Sequence, residues 1–231
     1  MKKLHWFLGI IFAFALIIIL LITSFEVAMY ADFGFYEKEY EKYDVLSQLD
    51  MEMEDAMYVT REMMDYLRGD RESLEVYTTV GGGEQDFFNA QDRFHMAEVK
   101  TLFIGGLYIR RGACVAAVLC LALLLVTKAK MRKILGRSYL IALGIAGGFA
   151  VLLGIAAAID FNAVFVQFHH IFFDNDLWMF DPAEDYMIRM LPEGLFADML
   201  ARIGAIFAGG LLLALAGSIF LLRWEKKKPL K

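Results

Sequence analysis

Histidine, proline and cysteine are all scarce in this 231-residue chain, with four, three and two residues respectively. Cys114 and Cys120 fall in one apolar run, six positions apart. That spacing puts them on different faces of a helix, which excludes a disulfide framework or a zinc knuckle and leaves packing as their role. No His-Glu-x-x-His pattern occurs, and no single helix presents two histidines at i and i+4, which counts against a metalloprotease-like zinc site. Gly81-Gly82-Gly83 is followed by Glu84-Gln85-Asp86, without the Lys-Ser/Thr of a phosphate-cradling loop. No internal repeat, no low-complexity linker and no ionisable residue at the middle of an apolar run is found, which disfavours a transporter.

Apolar residues, by contrast, make up 59% of the chain. The mean hydropathy is +0.51, beyond what a soluble domain of this length carries. Four runs reach the roughly 20 helical residues needed to cross a hydrocarbon core of ~30 Å. They are Trp6 to Thr23, Leu102 to Thr127, Ser138 to Ile159 and Arg202 to Leu222. The first is read as an uncleaved signal anchor. It outruns an ordinary signal-peptide core, and Met29 and Tyr30 stand where a peptidase requires small residues.

Charge sets the orientation. Lys128, Lys130, Arg132, Lys133 and Arg137 occupy one short connection that holds no acid. At the ends, Lys2, Lys3, Arg223, Lys226, Lys227, Lys228 and Lys231 face the single acid Glu225. The positive-inside rule assigns all of these to the cytoplasm. The other 27 of 28 acids lie between Glu26 and Asp198, so the net charge of −5 describes an acidic outer face and not a nucleic-acid surface. The expected fold is mainly α, a four-transmembrane-helix membrane protein with a small extracytoplasmic cap. Its spans are 1–23, 102–127, 138–159 and 202–222. The outer segments are 24–101 (the cap) and 160–201, and the cytoplasmic ones are 128–137 and 223–231.

Within the cap, Asp50 to Arg68 reads as a helix. Met53, Met57, Met64 and Leu67 recur at helical spacing, and Gly69 suits the left-handed closing position. Leu74 to Val80 alternates as a short strand. From Asn89, a plausible N-cap with Asp92 in the first turn, no proline intervenes before the second span, which predicts one continuous helix. His95 then stands ~10 Å above Leu102, at headgroup depth. In the other outer segment, Phe161 to Phe173 reads as an interfacial run, continued by Trp178. Gly144 to Gly148 and Gly204 to Ala208 are small-residue spacings expected to pack helices together.

Three of the four histidines fall in two stretches, Phe94 to Lys100 and Phe168 to Phe173, both assigned to the outer side at similar depth. Imidazole is the side chain whose ordinary pKa permits proton transfer near neutral pH. Asp92 and Glu98 lie three residues either side of His95 on one broad helix face, where a carboxylate can fix a tautomer. The plainer reading is an exposed helix start with an incidental histidine. His169 and His170 point in different directions, so one of them reaches a shared site; interfacial anchoring is the competing role. His95, Glu98 and either of those histidines also offer zinc-ligand types. Arg110 and Arg111 lie in the outer half of the second span. Either they contact a lipid phosphate or a buried acid, or the span begins later, near Gly112.

Taken together, His95-Met96-Ala97-Glu98-Val99-Lys100, Phe168-His169-His170-Ile171-Phe172-Phe173, Trp178, Pro182 and Leu191-Pro192-Glu193 resemble the lipoprotein intramolecular transacylase (Lit) family. These are four-span integral membrane proteins of Gram-positive bacteria. Tyr40 to Tyr43 and Tyr66-Leu67-Arg68-Gly69-Asp70 fit the same pattern, so the resemblance covers nearly the whole chain. Glu98 departs from it, since an aspartate is more usual there, but keeps the carboxylate. The resemblance implies transfer of the sn-2 acyl chain of a diacylglyceryl-modified lipoprotein to the amine of its N-terminal cysteine, giving the lyso form. It implies His95 and His169 as the catalytic pair, supported by Asp92, Glu98, Phe168, Phe172 and Trp178, with His170 not fixed. No cofactor and no metal is expected. The expected partners are lipoproteins and membrane lipids, in a bacterial cell membrane, with both termini cytoplasmic and the site outside. The competing expectation is a non-enzymatic accessory or sensor whose acidic cap binds a partner.

Overall fold

The computed structural model describes residues 2–226; of the tail's basic residues, Lys227, Lys228 and Lys231 lie outside the described residues. The elements are α1 (Lys2–Tyr30), α2 (Gly34–Lys42), α3 (Val45–Leu49), α4 (Met53–Arg68), β1 (Tyr77–Val80), β2 (Gly83–Asp86), α5 (Ala90–Val126), α6 (Met131–Ile159), α7 (Phe161–Phe172), α8 (Tyr186–Met190) and α9 (Glu193–Lys226). Four helices, α1, α5, α6 and α9, are long and apolar enough to cross a bilayer. The chain divides into two compact units, one built from Met1–Glu26, Leu107–Ile159 and Arg202–Lys231, the other from Val27–Gly106 and Asp160–Ala201.

The first unit packs the apolar stretches of the four long helices. Ala13 and Ile17 of α1 meet Tyr139 and Ala142 of α6 and Phe207 and Leu211 of α9 in one buried cluster. The Tyr139 hydroxyl donates to the Leu211 carbonyl at 2.7 Å, which satisfies the one polar atom of that ring. Ala15, Ala113 and Ala117 form a second contact, where small side chains let α1 and α5 approach closely. Val118, Val126, Phe149, Leu152 and Leu213 remain exposed, the outward apolar belt that lipid covers.

The helices run past the apolar runs. α1 continues beyond Thr23 to Tyr30, and the expected 128–137 connection shrinks because α6 starts at Met131, taking Arg132, Lys133 and Arg137 onto its first turns. Lysine, arginine and leucine are good helix formers, and the turn needs few residues. Lys128 takes the left-handed position (φ 51°) that lets Ala129 N–H reach back to the Leu124 carbonyl at 2.9 Å. Among the described residues the expected small-residue contacts at Gly144, Gly148 and Gly204 do not form, since nothing there lies within 4 Å of a Cβ built at these positions. The close approaches are elsewhere. At Gly136 a Cβ would stand 2.7 Å from Leu222 Cγ and 3.1 Å from the Ser218 carbonyl, and Ser218 Oγ donates to the Gly136 carbonyl at 2.7 Å.

The second unit holds a core of α2, α3, α4 and the hairpin. Met57, Met64 and Leu67 are buried as expected, and Gly69 closes α4 at φ 88°. The helix begins at Met53 and not Asp50, because Asp50 is left-handed (φ 49°) and ends α3. Only Tyr77–Val80 of the expected strand enters a ladder, pairing antiparallel with Gly83–Asp86. Gly81 and Gly82 (φ 60° and 77°) supply the two positive φ values of a primed hairpin turn. Tyr40 and Thr60 are fully buried and hydrogen-bonded at 2.5 Å. Thr60 Oγ1 donates its own proton to the Ala56 carbonyl, so the Tyr40 hydroxyl is the donor in that pair.

Substituting Gly136→Val should overpack the α6–α9 contact and lower the Tm of the detergent-solubilised protein, an effect of about 1–3 kcal/mol. Gly148→Val, with open space around it, should leave Tm unchanged; equal losses would mean that Gly136 is no special contact.

Candidate active site

Both histidine stretches lie in the second unit, and the structure brings them together. His95 is placed by the start of α5, which a reciprocal cap fixes. Asp92 N–H donates to Asn89 Oδ1 at 2.9 Å, and Asn89 N–H donates to Asp92 Oδ2 at 3.0 Å. Asn89 Nδ2 also donates to Asp185 Oδ1 at 2.5 Å, while Asp185 Oδ2 accepts from the Asp181 N–H at 2.7 Å. The turn before α8 thus holds the first turn of α5. His169 sits in the last turn of α7, whose Asp160 cap accepts from Ala163 N–H at 2.9 Å.

The two imidazole rings stack with centroids 5.8 Å apart and planes 27° apart, and each is 6% exposed. An aromatic enclosure surrounds them. Phe173 (4.9 Å) and Phe180 (5.5 Å) meet the His95 ring edge-on; Phe165 (4.2 Å), Trp178 (4.7 Å) and Phe173 (5.4 Å) flank His169. Phe168 meets His169 edge-on at 5.5 Å, while Phe172 lies tilted against Phe168 at 4.7 Å; both phenylalanines are exposed. His170 is exposed and reaches Trp178 alone among these rings, at 5.3 Å.

Burial fixes the charge states. It lowers the His95 pKa from 6.5 to about 4, with the neighbouring His169 adding to the effect. His169 is also lowered by burial, opposed by its bond to the Phe165 carbonyl. Both imidazoles are therefore neutral near pH 7. That bond, from His169 Nδ1 to the Phe165 oxygen at 2.7 Å, also fixes the tautomer. A carbonyl only accepts, so Nδ1 carries the proton and Nε2 carries the lone pair.

Glu98 is steered by Asn175, whose Nδ2 donates to Glu98 Oε1 at 2.8 Å. The other oxygen, Oε2, stands 3.9 Å from His95 Nδ1, and neither atom has a hydrogen bond among the described residues. Asp92, fully buried, is engaged in the helix cap and not with His95. Burial raises its pKa to about 6, helped by the charge of Asp185. His95, Glu98 and His169 do not form a metal-ligand set, nor does any group of three His, Cys, Asp or Glu among the described residues. Arg110 lies outside this unit and pairs with the half-buried Glu26; Arg111 lies over the Tyr108 ring at 5.2 Å. Residues 165, 175 and 180 escape a reading by motif; of these, Phe165 has a spacing signal, four residues before His169 on the same helix.

On acidification the unfolded chain takes up the His95 proton first, so stability is lost as pH falls from 6.5 toward 4. Asp92 acts with the opposite sign, contributing stability below its ordinary 3.8 that is lost as pH rises through about 6. Between pH 6.5 and about 4 the stability of the intact protein should therefore fall more steeply than that of His95→Gln, by up to about 3 kcal/mol, read as a steeper fall in Tm. Parallel curves would show that His95 is not held neutral by burial.

The family profile described as lipoprotein intramolecular transacylase Lit matches residues 10–196. No curated protein sequence matches the chain. Among solved structures, the membrane-integral lipoprotein intramolecular transacylase Lit from Bacillus cereus is 21% identical, covers 99% of this chain and 100% of its own, and superposes with a TM-score of 0.80. A variant of that protein with one histidine changed to alanine is 20% identical and gives 0.76 over 98% of this chain and 97% of its own. At such identity the likeness concerns the fold. The matched residues span most of the chain, and four apolar helices make it a multi-pass membrane protein. It belongs to the lipoprotein intramolecular transacylase family and is a membrane-integral enzyme of that class.

Proposed function

We propose that the protein moves the sn-2 acyl chain of a diacylglyceryl-modified lipoprotein to the α-amino group of its N-terminal cysteine, with His95 and His169 as the acid–base pair. The observation that carries this reading is the pair of buried, stacked imidazoles with one tautomer fixed. His169 Nε2 holds a lone pair and is the better base, because its Nδ1–H can delocalise incoming charge onto the Phe165 carbonyl. As the amine nitrogen attacks the ester carbon, His169 Nε2 takes the proton that the amine gives up. The tetrahedral intermediate then breaks its bond to the glyceryl oxygen, which leaves with the proton that the His169 imidazolium gives back. The amide forms, the hydroxyl is freed, and no atom enters or leaves. Both reacting groups belong to one molecule, so holding them in register contributes much of the rate.

Placing this reaction on the extracytoplasmic side rests on the charge pattern. The basic connection and ends belong inside by the positive-inside rule, and the second unit carries the acidic segments. The termini are then cytoplasmic, the second unit is an outer cap, and its partners are lipoproteins and the lipids around them.

Expressed at normal membrane levels in cells with no other source of lyso-lipoprotein, His95→Ala and His169→Ala should each reduce the product at least about 100-fold, the range of acid–base catalysis. Mass spectrometry of a lipoprotein N-terminus reads the result. His170→Ala should retain most activity. Full activity in either of the first two, or equal loss in the third, would overturn the assignment.

A further inference from the structure

Acyl transfer develops negative charge on the acyl carbonyl oxygen, and a donor must meet it. The histidine pair handles the proton, and the nearby carboxylates Asp92 and Glu98 repel an oxyanion. The backbone donors of the two helices beside the histidines are in use, because His95 lies past the first turn of α5 and His169 in the last turn of α7. In the following loop, Leu177 N–H donates to Asn175 Oδ1 at 3.0 Å.

Trp178 is 8% exposed, and its Nε1 is buried without a hydrogen bond among the described residues. Of the buried side-chain atoms in that condition, it is the one that can only donate. Leaving such a donor unpaired costs stability, which a purely structural aromatic such as phenylalanine would avoid. The indole lies against His169 at 4.7 Å with planes 30° apart. Its N–H lies in the indole plane, so a near-parallel stack does not direct it into the His169 ring face. We propose that Trp178 Nε1–H donates to the acyl carbonyl oxygen as it becomes the tetrahedral oxyanion, which makes Trp178 a third catalytic residue. The charge is released when the carbonyl reforms and the bond to the glyceryl oxygen breaks, so the donor keeps its proton throughout. The proposal rests on the acyl-transfer reading above.

The test uses the full chain in proteoliposomes with a synthetic diacylglyceryl lipopeptide. Trp178→Phe keeps the packing ring and removes the N–H. It should lower kcat about 100-fold with KM unchanged. It should also bind an sn-2 ether analogue, which has no carbonyl, as tightly as the wild type, and lose the wild type's preference for an sn-2 phosphonate analogue. Wild-type kcat in the variant, or equal loss of both analogues, would overturn the role. So would the same kcat loss in His170→Ala, which would mean that the N–H is occupied by the His170 ring. If the wild type itself forms no lyso product, it is the acyl-transfer reading that has failed.

Discussion

Two imidazoles buried face to face, without a countercharge in hydrogen-bond contact with either ring, constrain everything around them. Water is excluded by Phe165, Phe173, Phe180 and Trp178, and that exclusion holds both rings neutral. A neutral pair offers lone pairs for taking a proton. It becomes an acid only after it has taken one, which suits a reaction whose nucleophile gives up the proton that its leaving group needs. The enclosure depends in turn on α5 and α7 being held in register. Asn89 does this for α5, because it caps the helix and grips Asp185 at once.

The carboxylates near His95 divide the work differently from what their symmetric spacing suggests. Asp92 closes the helix cap, where burial raises its pKa. Glu98, tied by Asn175, is the one directed toward His95 Nδ1. Spacing of i and i±3 places both on the imidazole's side of the helix, but the N-terminal turn takes the earlier one for its own orphan N–H groups.

Much of this was legible in the sequence because it is local. The four spans follow from apolar length, the start of α5 from Asn89 and Asp92, and the end of α4 from Gly69. What escaped is long-range or needs few residues. Asn175 meets Glu98 across 77 positions, a pairing that no spacing rule reaches. α2 and α3 are short and carry many polar residues, so their periodicity is weak. The glycine contacts depart from expectation for a related reason. Gly144 and Gly148 have the spacing of a packing motif but face open space, whereas Gly136, isolated in sequence, meets Leu222. Spacing identifies a helix face; only the partner helix decides which face is covered.

Acyl transfer within one molecule, by a protein-borne proton relay, is the central claim. The most direct measurement mixes two diacylglyceryl lipopeptides of different peptide mass, one with an isotopically labelled sn-2 chain, and presents them to the reconstituted protein. Mass spectrometry should find the label on the N-terminal amine of its own peptide alone, with no free fatty acid. Labelled chains on the other peptide, or released acid without an amide, would contradict the account.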